Sequence, residues 1–234
     1  MPENSTQETM SVALLTVGDE LLAGQIDNTN ATWLAAKLRE RGAAVRRIVV
    51  VPDDLQAIQT TVNELRQSFD AVITTGGLGP THDDVTMEAV AAAFDCEMVE
   101  DPDAQEWIEN DTEYALSDLV EGTTDLPAEA EFLPNPAGVA PGAHIGNVYV
   151  LPGVPIEMKE MFALIAPSFD GPAATTKVLI SEQPESTLVE ALRETSEQFD
   201  VRVGSYPGDM VTIRIQGQDK AEVEAAVEWL EPKL

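Results

Sequence analysis

Between residues 12 and 75 the chain alternates short apolar runs with amphipathic stretches. Val12 to Val17 is a brief apolar run that stops at Gly18, the pattern of a buried strand. Asn28 or Thr29 then offers an N-cap for a helix whose apolar positions Trp33, Leu34 and Leu38 share one face, and Gly42 ends it. Val45 to Val51 predicts a second strand, Leu55 to Leu65 a second helix, and Ala71 to Thr74 a third strand. Such repeated strand–helix units predict an α/β domain with a mostly parallel sheet and helices on both faces.

Farther along, Met87, Val90, Ala91 and Phe94 recur at helical spacing within Thr86 to Phe94. Pro102 to Val120 reads as helical, although its acids and scattered apolar residues leave the register open. Pro134, Pro136, Gly138, Pro141 and Gly142 predict an ordered irregular segment ahead of a strand at Val148 to Leu151. Pro155 suits the first position of a helix ending near Ile165. Gly and Pro cluster at Pro167 to Pro172, the expected domain boundary. Beyond it, Val178 to Ile180 predicts a strand, Glu185 to Phe199 a helix, and Val201 to Tyr206 and Met210 to Ile215 two strands turning at Pro207-Gly208-Asp209. Lys220 to Leu230 predicts a last helix. The expected organisation is a flexible tail over residues 1–11, a main domain over 12–171 and a small α+β domain over 172–234.

Charge narrows the function classes. The net charge is −29, with acids spread over helix faces and turns rather than gathered in one tail. That excludes binding driven by the field of a nucleic-acid backbone or an anionic membrane. A phosphate site must therefore be local, built from backbone N–H groups or a bound cation. An acidic surface of this kind repels itself at low salt, so the expectation is a halophilic-type protein stabilised by molar salt. Cys96 is the sole cysteine, which rules out an internal disulfide and a CxxC site and suits a small core residue near a helix end. Residues 1–9 lack the apolar core of a signal peptide, and the cytoplasm is the expected location.

Candidate chemistry gathers where strands end. Thr75-Gly76-Gly77-Leu78-Gly79-Pro80-Thr81 follows the third strand, and its glycines allow close backbone approach with successive N–H groups turned toward an anion. It has neither the Gly-Lys-Ser/Thr ending of a P-loop nor the spacing of a dinucleotide fold. His82, Asp83, Asp84 and Thr86 come next. The bland alternative is a tight turn in which Asp84 or Thr86 caps the following helix. Gly18, Asp19 and Glu20 follow the first strand, Asp27 and Asn28 stand at the next turn, and Asp53-Asp54 follows the second strand; each has a capping explanation too. Together, these strand ends would crowd acids around one anion loop, which calls for cations, water or titration. Asn135 offers a hydrogen bond to a base, pterin or phosphate or else an Asx-turn, and Gly153 with Glu157 begins another strand-to-helix turn. Hard oxygen ligands favour magnesium or manganese, with cobalt a further candidate.

Three separated motifs, Val17 to Gly24, Thr75 to Thr86 and Leu151 to Met158, resemble the competence/damage-inducible protein A family. More widely, residues 12 to about 166 resemble the molybdopterin-binding domain of molybdenum cofactor biosynthesis proteins, and the region after 172 resembles the family's middle domain. The resemblance implies a three-layer α/β/α fold, a homo-oligomer, and a site for a pterin phosphate or nucleotide diphosphate. It also raises Gly153 and Glu157 as ligand-side residues. Members of the family split the pyrophosphate of ADP-ribose with a divalent metal. In adenylyltransferase relatives the acid of the glycine-loop motif matches Asp84 and the acid after the second strand matches Asp53, and both are present here. Longer members end in a nicotinamide-nucleotide amidase domain, and deamidation is not expected of this chain. The resulting expectation is a metal-dependent nucleotide diphosphate hydrolase using Asp53 and Asp84, with metal held by Asp19, Asp53 and Asp84. The alternative is a molybdopterin-binding protein, as an adenylyltransferase or as a binder without chemistry.

Overall fold

The computed structural model describes residues 9–171 and 174–234, and the chain divides into two compact units between Gly171 and Pro172. Of the tail expected over 1–11, residues 1–8 lie outside the described residues. Its last residues are not tail: Met10 packs against the core and Ser11 opens the first strand. The Asp70 carboxylate holds Ser11 there, accepting from its N–H and its hydroxyl at 2.7 Å each.

The main unit contains, in order, β1 (Ser11–Val17), α1 (Asp19–Leu22), α2 (Thr29–Glu40), β2 (Ala44–Val51), α3 (Leu55–Ser68), β3 (Ala71–Thr75), α4 (Thr86–Ala93), β4 (Met98–Glu100), α5 (Pro102–Asp111), β5 (Asp125–Pro127), β6 (Glu131–Leu133), β7 (Gly142–Ile145), β8 (Val148–Leu151) and α6 (Pro155–Ile165). Six strands form one sheet in the order β2-β1-β3-β8-β7-β6. The first four are parallel, and β7 and β6 are added antiparallel. Alternation along β1 divides the core between the two faces. Ala13, Leu15 and Val17 pack with Ile58 and Val62 of α3 and Val90 of α4, while Val12 and Leu14 pack with Leu34 and Leu38 of α2 and Met158 and Phe162 of α6. Each fully buried Val, Leu, Ile or Met side chain here contributes about 1.5–3 kcal/mol. The result is a three-layer α/β/α domain, with β1, β2, β3 and β8 all ending at one edge.

Two readings of the sequence change. Helix α5 stops at Asp111, and only a 3-10 turn at Leu116–Asp118 follows. Thr112 ends it: its hydroxyl donates to the Ile108 carbonyl at 2.7 Å and accepts from the Tyr114 N–H at 3.1 Å. Gly142, read as part of an irregular segment, begins β7. A Cβ there would stand 2.4 Å from the Val150 carbonyl oxygen, so glycine marks a close strand contact.

The small unit has β9 (Thr175–Ser181), α7 (Glu185–Gln198), β10 (Arg202–Tyr206), β11 (Val211–Gly217) and α8 (Lys220–Leu230). Its antiparallel sheet runs β10-β11-β9. Leu179, Val203, Ile213 and Ile215 of one sheet face pack on Leu188 of α7 and on Val223, Ala226 and Leu230 of α8.

Candidate functional site

The parallel strand ends come together at the glycine loop. Gly76 and Gly77 have φ of 101° and 66°, a left-handed backbone that other L-residues adopt only under strain. A Cβ on Gly76 would stand 2.3 Å from the Val17 carbonyl oxygen, and one on Gly77 2.2 Å from Thr86 Oγ1. A Cβ on Gly153 would meet the Gly76 Cα at 3.2 Å. These three glycines are thus required by the mutual approach of the ends of β1, β3 and β8 and by the start of α4. Backbone bonds finish the frame, with Gly76 N–H donating to Leu151 O and Thr86 N–H to Gly77 O, both at 3.2 Å. The hydroxyls of Thr75 and Thr86 are buried beneath the loop without a hydrogen-bond partner among the described residues.

Asp84 shapes this loop from within. Its Oδ2 accepts from the Thr81 N–H at 3.0 Å and the Thr81 hydroxyl at 2.5 Å, and it lies against Gly79. Neither capping assignment holds: α4 starts after Val85 with no side-chain cap bond. The Thr81 hydroxyl also lies within reach of Asp83, whose carboxyl it holds below the usual range together with the Asp83 backbone N–H and His82. The His82 side chain is 99% exposed and stands 3.9 Å from Asp83. Pro80 lies exposed at the loop tip.

The pair after β2 separates by role. Asp54 caps α3 by accepting from the Ala57 N–H at 2.8 Å, whereas Asp53 accepts from the Asp19 N–H at 2.8 Å. Desolvation pushes the Asp53 carboxyl above its ordinary pKa; the Asp19 N–H opposes this, and the charges of Glu20, Asp19 and Asp83 add to the rise. Four acids from three strand ends therefore share one electrostatic neighbourhood. Asp19 reaches Asp53 through its N–H and Asp84 is engaged with Thr81, so the three carboxylates expected to hold a metal are not assembled as a ligand set. Among the described residues no group of three or more His, Cys, Asp or Glu side chains is arranged to hold one.

Asp53→Asn gives a pH prediction. A folded-state pKa above the unfolded value means that the native state binds the proton more readily, so stability falls as pH rises from the unfolded pKa through the folded one. The asparagine variant escapes this loss and still accepts the Asp19 N–H. It is expected to unfold at or slightly above the wild-type midpoint at neutral pH, with the advantage vanishing in acid below both pKa values. Thermal melts across that range check it; a lower midpoint for the variant at neutral pH refutes it.

The remaining candidates brace the site. Asn28 caps α2, accepting from the Ala31 N–H and donating to Thr16 Oγ1, both at 3.1 Å. Asp27 stands exposed just before it. Glu20 folds over Gly18, where a Cβ would lie 2.7 Å from its Oε1. Buried Asn135 donates through Nδ2 to Glu157 Oε2 and Ala140 O, each at 2.9 Å, and Gly138 leaves room for that pair. Glu157 is therefore neither a cap nor free.

Sequence reasoning missed Asn30, whose Nδ2 donates to Gly153 O at 2.7 Å and ties the start of α2 to the β8–α6 turn. It also missed residues 119–123. With the glycine loop and Asp84, this segment encloses a cavity of about 450 Å³ whose other walls include Leu78, Met87, Met98 and Val139. Among the described residues no Lys, Arg or His lines it, while Glu88, Asp118, Glu121 and Asp125 do. Asp19 and Asp53 lie outside this lining.

The family described as a probable molybdopterin binding domain matches residues 13–171, and that described as the FAD synthase middle domain matches 173–234. A protein of Archaeoglobus fulgidus is 35% identical over 227 residues, covering 96% of this chain and 98% of its own length. A CinA-like protein of Prochlorococcus marinus is 36% identical over 239 residues, which cover 94% of this chain and 55% of that protein. The chain thus spans about half of this longer relative. The crystal structure of CinA, of unknown function, from Thermoplasma acidophilum is 34% identical with a TM-score of 0.64, covering 69% of this chain and 98% of that one. Fold and matches together define a molybdopterin-binding-type α/β/α domain followed by a small α+β domain. Within that class the chain belongs to the CinA family. No helix among the described residues is long and apolar enough to cross a membrane.

Proposed function

We propose that the main unit binds a pterin phosphate of the molybdopterin type, its ring in the cavity beside the glycine loop and its phosphate against the loop backbone. The observation that carries this reading is the cavity itself. Its about 450 Å³ lies in the usual range for small-molecule sites, and it sets apolar walls beside a glycine-rich backbone. Methionine and leucine walls suit a flat heterocycle, and carboxylates accept from ring N–H and amino groups. The buried, unpartnered Thr75 and Thr86 hydroxyls add polar capacity under the loop. A divalent cation is the second part of the proposal. Magnesium is typically held by one or two carboxylates plus substrate phosphates, and Asp84, which lines the cavity beside the glycine loop, is the carboxylate placed for that role.

Adenylyl transfer and cleavage of a nucleotide diphosphate such as ADP-ribose are the two chemistries such a site can support, and the acids shared by three strand ends favour testing both. Titration of the full chain with molybdopterin, followed by incubation with ATP or ADP-ribose with magnesium, manganese or cobalt and mass analysis, decides among them. Pterin binding without turnover supports a binder, and an adenylylated pterin supports the transferase. Failure to bind the pterin combined with cleavage of ADP-ribose overturns the proposal in favour of hydrolysis.

Asp84 supplies a matched prediction. Asp84→Ala removes both bonds to Thr81 and is expected to weaken pterin binding by about 10–100-fold, the equivalent of one or two lost charge-assisted hydrogen bonds. Asp84→Asn keeps an acceptor and should lose less. Equal affinities for alanine variant and wild type in the same titration would remove Asp84 from the loop's binding shape.

A further inference from the structure

Helices cover the small unit's sheet on one face, and strand alternation puts Val178 and Ile180 of β9, Thr212 and Arg214 of β11, and Arg202, Gly204 and Tyr206 of β10 on the other. This open face is arranged around a missing side chain. A Cβ on Gly204 would stand 3.3 Å from the Tyr206 hydroxyl oxygen and 3.4 and 3.5 Å from Cε2 and Cζ of its ring. The ring therefore folds back along β10 and lies against the sheet where Gly204 leaves the space, yet Tyr206 stays 50% exposed. Glycine weakens a strand interior, and here the room it leaves seats an exposed aromatic ring rather than core. The Arg214 guanidinium, on the residue paired with Gly204, lies 5.3 Å from the ring centre.

The charge of this face runs against that of the chain. With 42 acidic and 13 basic residues overall, the outward positions of the three strands hold two arginines and no carboxylate. Arg202 is exposed, and neither it nor Arg214 forms an ion pair among the described residues. An aromatic ring on an open sheet is a stacking surface for a flat heterocycle, and an unpaired guanidinium beside it takes a phosphate through its fork of N–H donors. Val178 and Ile180, also exposed, extend the face with apolar surface on the far side of β11.

We propose that this face binds a single nucleotide, its base stacked on Tyr206 and its phosphate held by Arg214 and Arg202. All of these residues belong to the small unit. The acids around the face set the size of the ligand. Asp200 and Asp219 stand exposed beyond one end of the strands, and Glu182 and Asp209 beyond the other. A phosphodiester chain running along the strands meets those carboxylates, whereas one nucleotide fits along β10 between Arg202 and Tyr206, about 13 Å at about 3.3 Å per residue. The field of a chain at −29 likewise penalises a polyanion more than one phosphate.

Titration of the full chain with AMP, adenosine and a short oligoadenylate at one fixed KCl concentration tests this. Binding is read from the Thr212 and Arg214 amide NMR signals, so a nucleotide taken up by the main unit is not counted. Wild type should bind AMP at least about 10-fold tighter than adenosine, because the phosphate adds charge-assisted hydrogen bonds. Gly204→Val should weaken AMP binding at least about 10-fold by lifting the ring from its seat. Its unfolding midpoint should match or exceed that of wild type, since valine suits a strand better than glycine. Should that variant melt lower, Tyr206→Leu repeats the test without touching the seat. Arg214→Gln should erase most of the preference for AMP over adenosine. A wild type that leaves these signals unmoved by AMP, equal AMP affinity in wild type and the folded ring variant, or an AMP preference untouched by Arg214→Gln each overturn the proposal. Oligoadenylate binding more than about 10-fold tighter than AMP also overturns it, in favour of single-stranded nucleic acid.

Discussion

Gly76→Ala is expected to destabilise the main unit by at least about 3 kcal/mol, because backbone strain and a backbone clash act at one position. The φ of 101° already disfavours any L-residue, and the new methyl would stand 2.3 Å from the Val17 carbonyl oxygen. That oxygen belongs to a buried strand and cannot move aside as a flexible side chain would, so relief requires parting the ends of β1 and β3. Gly24→Ala isolates the strain. Its φ is 67°, and among the described residues nothing lies within 4 Å of its Cβ position, so the loss should be about 1 kcal/mol. Denaturant unfolding of both variants measures the difference. Equal losses would show that the close packing of strand ends contributes nothing at Gly76. The same geometry changes the meaning of Gly77, whose missing side chain makes room for Thr86 and not only for a ligand. A Gly77→Val variant that fails to bind would therefore report on folding as well as on ligand approach.

The second large effect is that of salt. Moving from low salt to molar KCl should raise the unfolding midpoint by about 10 °C, corresponding to roughly 3–4 kcal/mol for a chain of this size. The folded state compresses a net charge of −29, and the Debye length falls from about 30 Å at 0.01 M to about 3 Å at 1 M salt. Salt also weakens favourable ion pairs, which decides how large the net gain can be. Lys37–Glu40, Arg41–Asp170 and Arg47–Glu64 have side chains between 38% and 62% exposed, where such pairs are worth at most about 1 kcal/mol each. Removing the repulsion should therefore outweigh losing the pairs. Calorimetry across a KCl series checks this, with matched NaCl separating screening from effects specific to potassium. A midpoint that is flat or falls with salt refutes self-repulsion as the controlling term.

Local pattern and special residues determined much of this protein by themselves. The apolar run from Val12 to Val17, the helical spacing of Trp33, Leu34 and Leu38, and the Gly42 stop suffice for β1 and α2 because burial period and capping are local properties. Pro155 at the first turn of α6 and Pro207-Gly208-Asp209 between β10 and β11 were legible for the same reason. The glycine loop and its flanking acids stood out because three glycines within Thr75 to Thr81 directly follow a strand, with Asp83-Asp84 close behind. Tertiary structure decided what each of them does. Asp53 and Asp54 are adjacent, yet one meets Asp19 and the other caps α3, since strand packing selects which carboxylate faces β1. Asp84 turns inward to Thr81, Glu157 is taken up by Asn135 across 22 positions, and Asn30 reaches Gly153 across 123. The cavity wall at residues 119–123 has no local signature, because its position depends on where α5 stops and on β5 pairing with β4. Hydrophobic period and backbone preference are written into neighbouring residues, whereas the partner of a side chain is set by non-local packing that brings distant strand ends together.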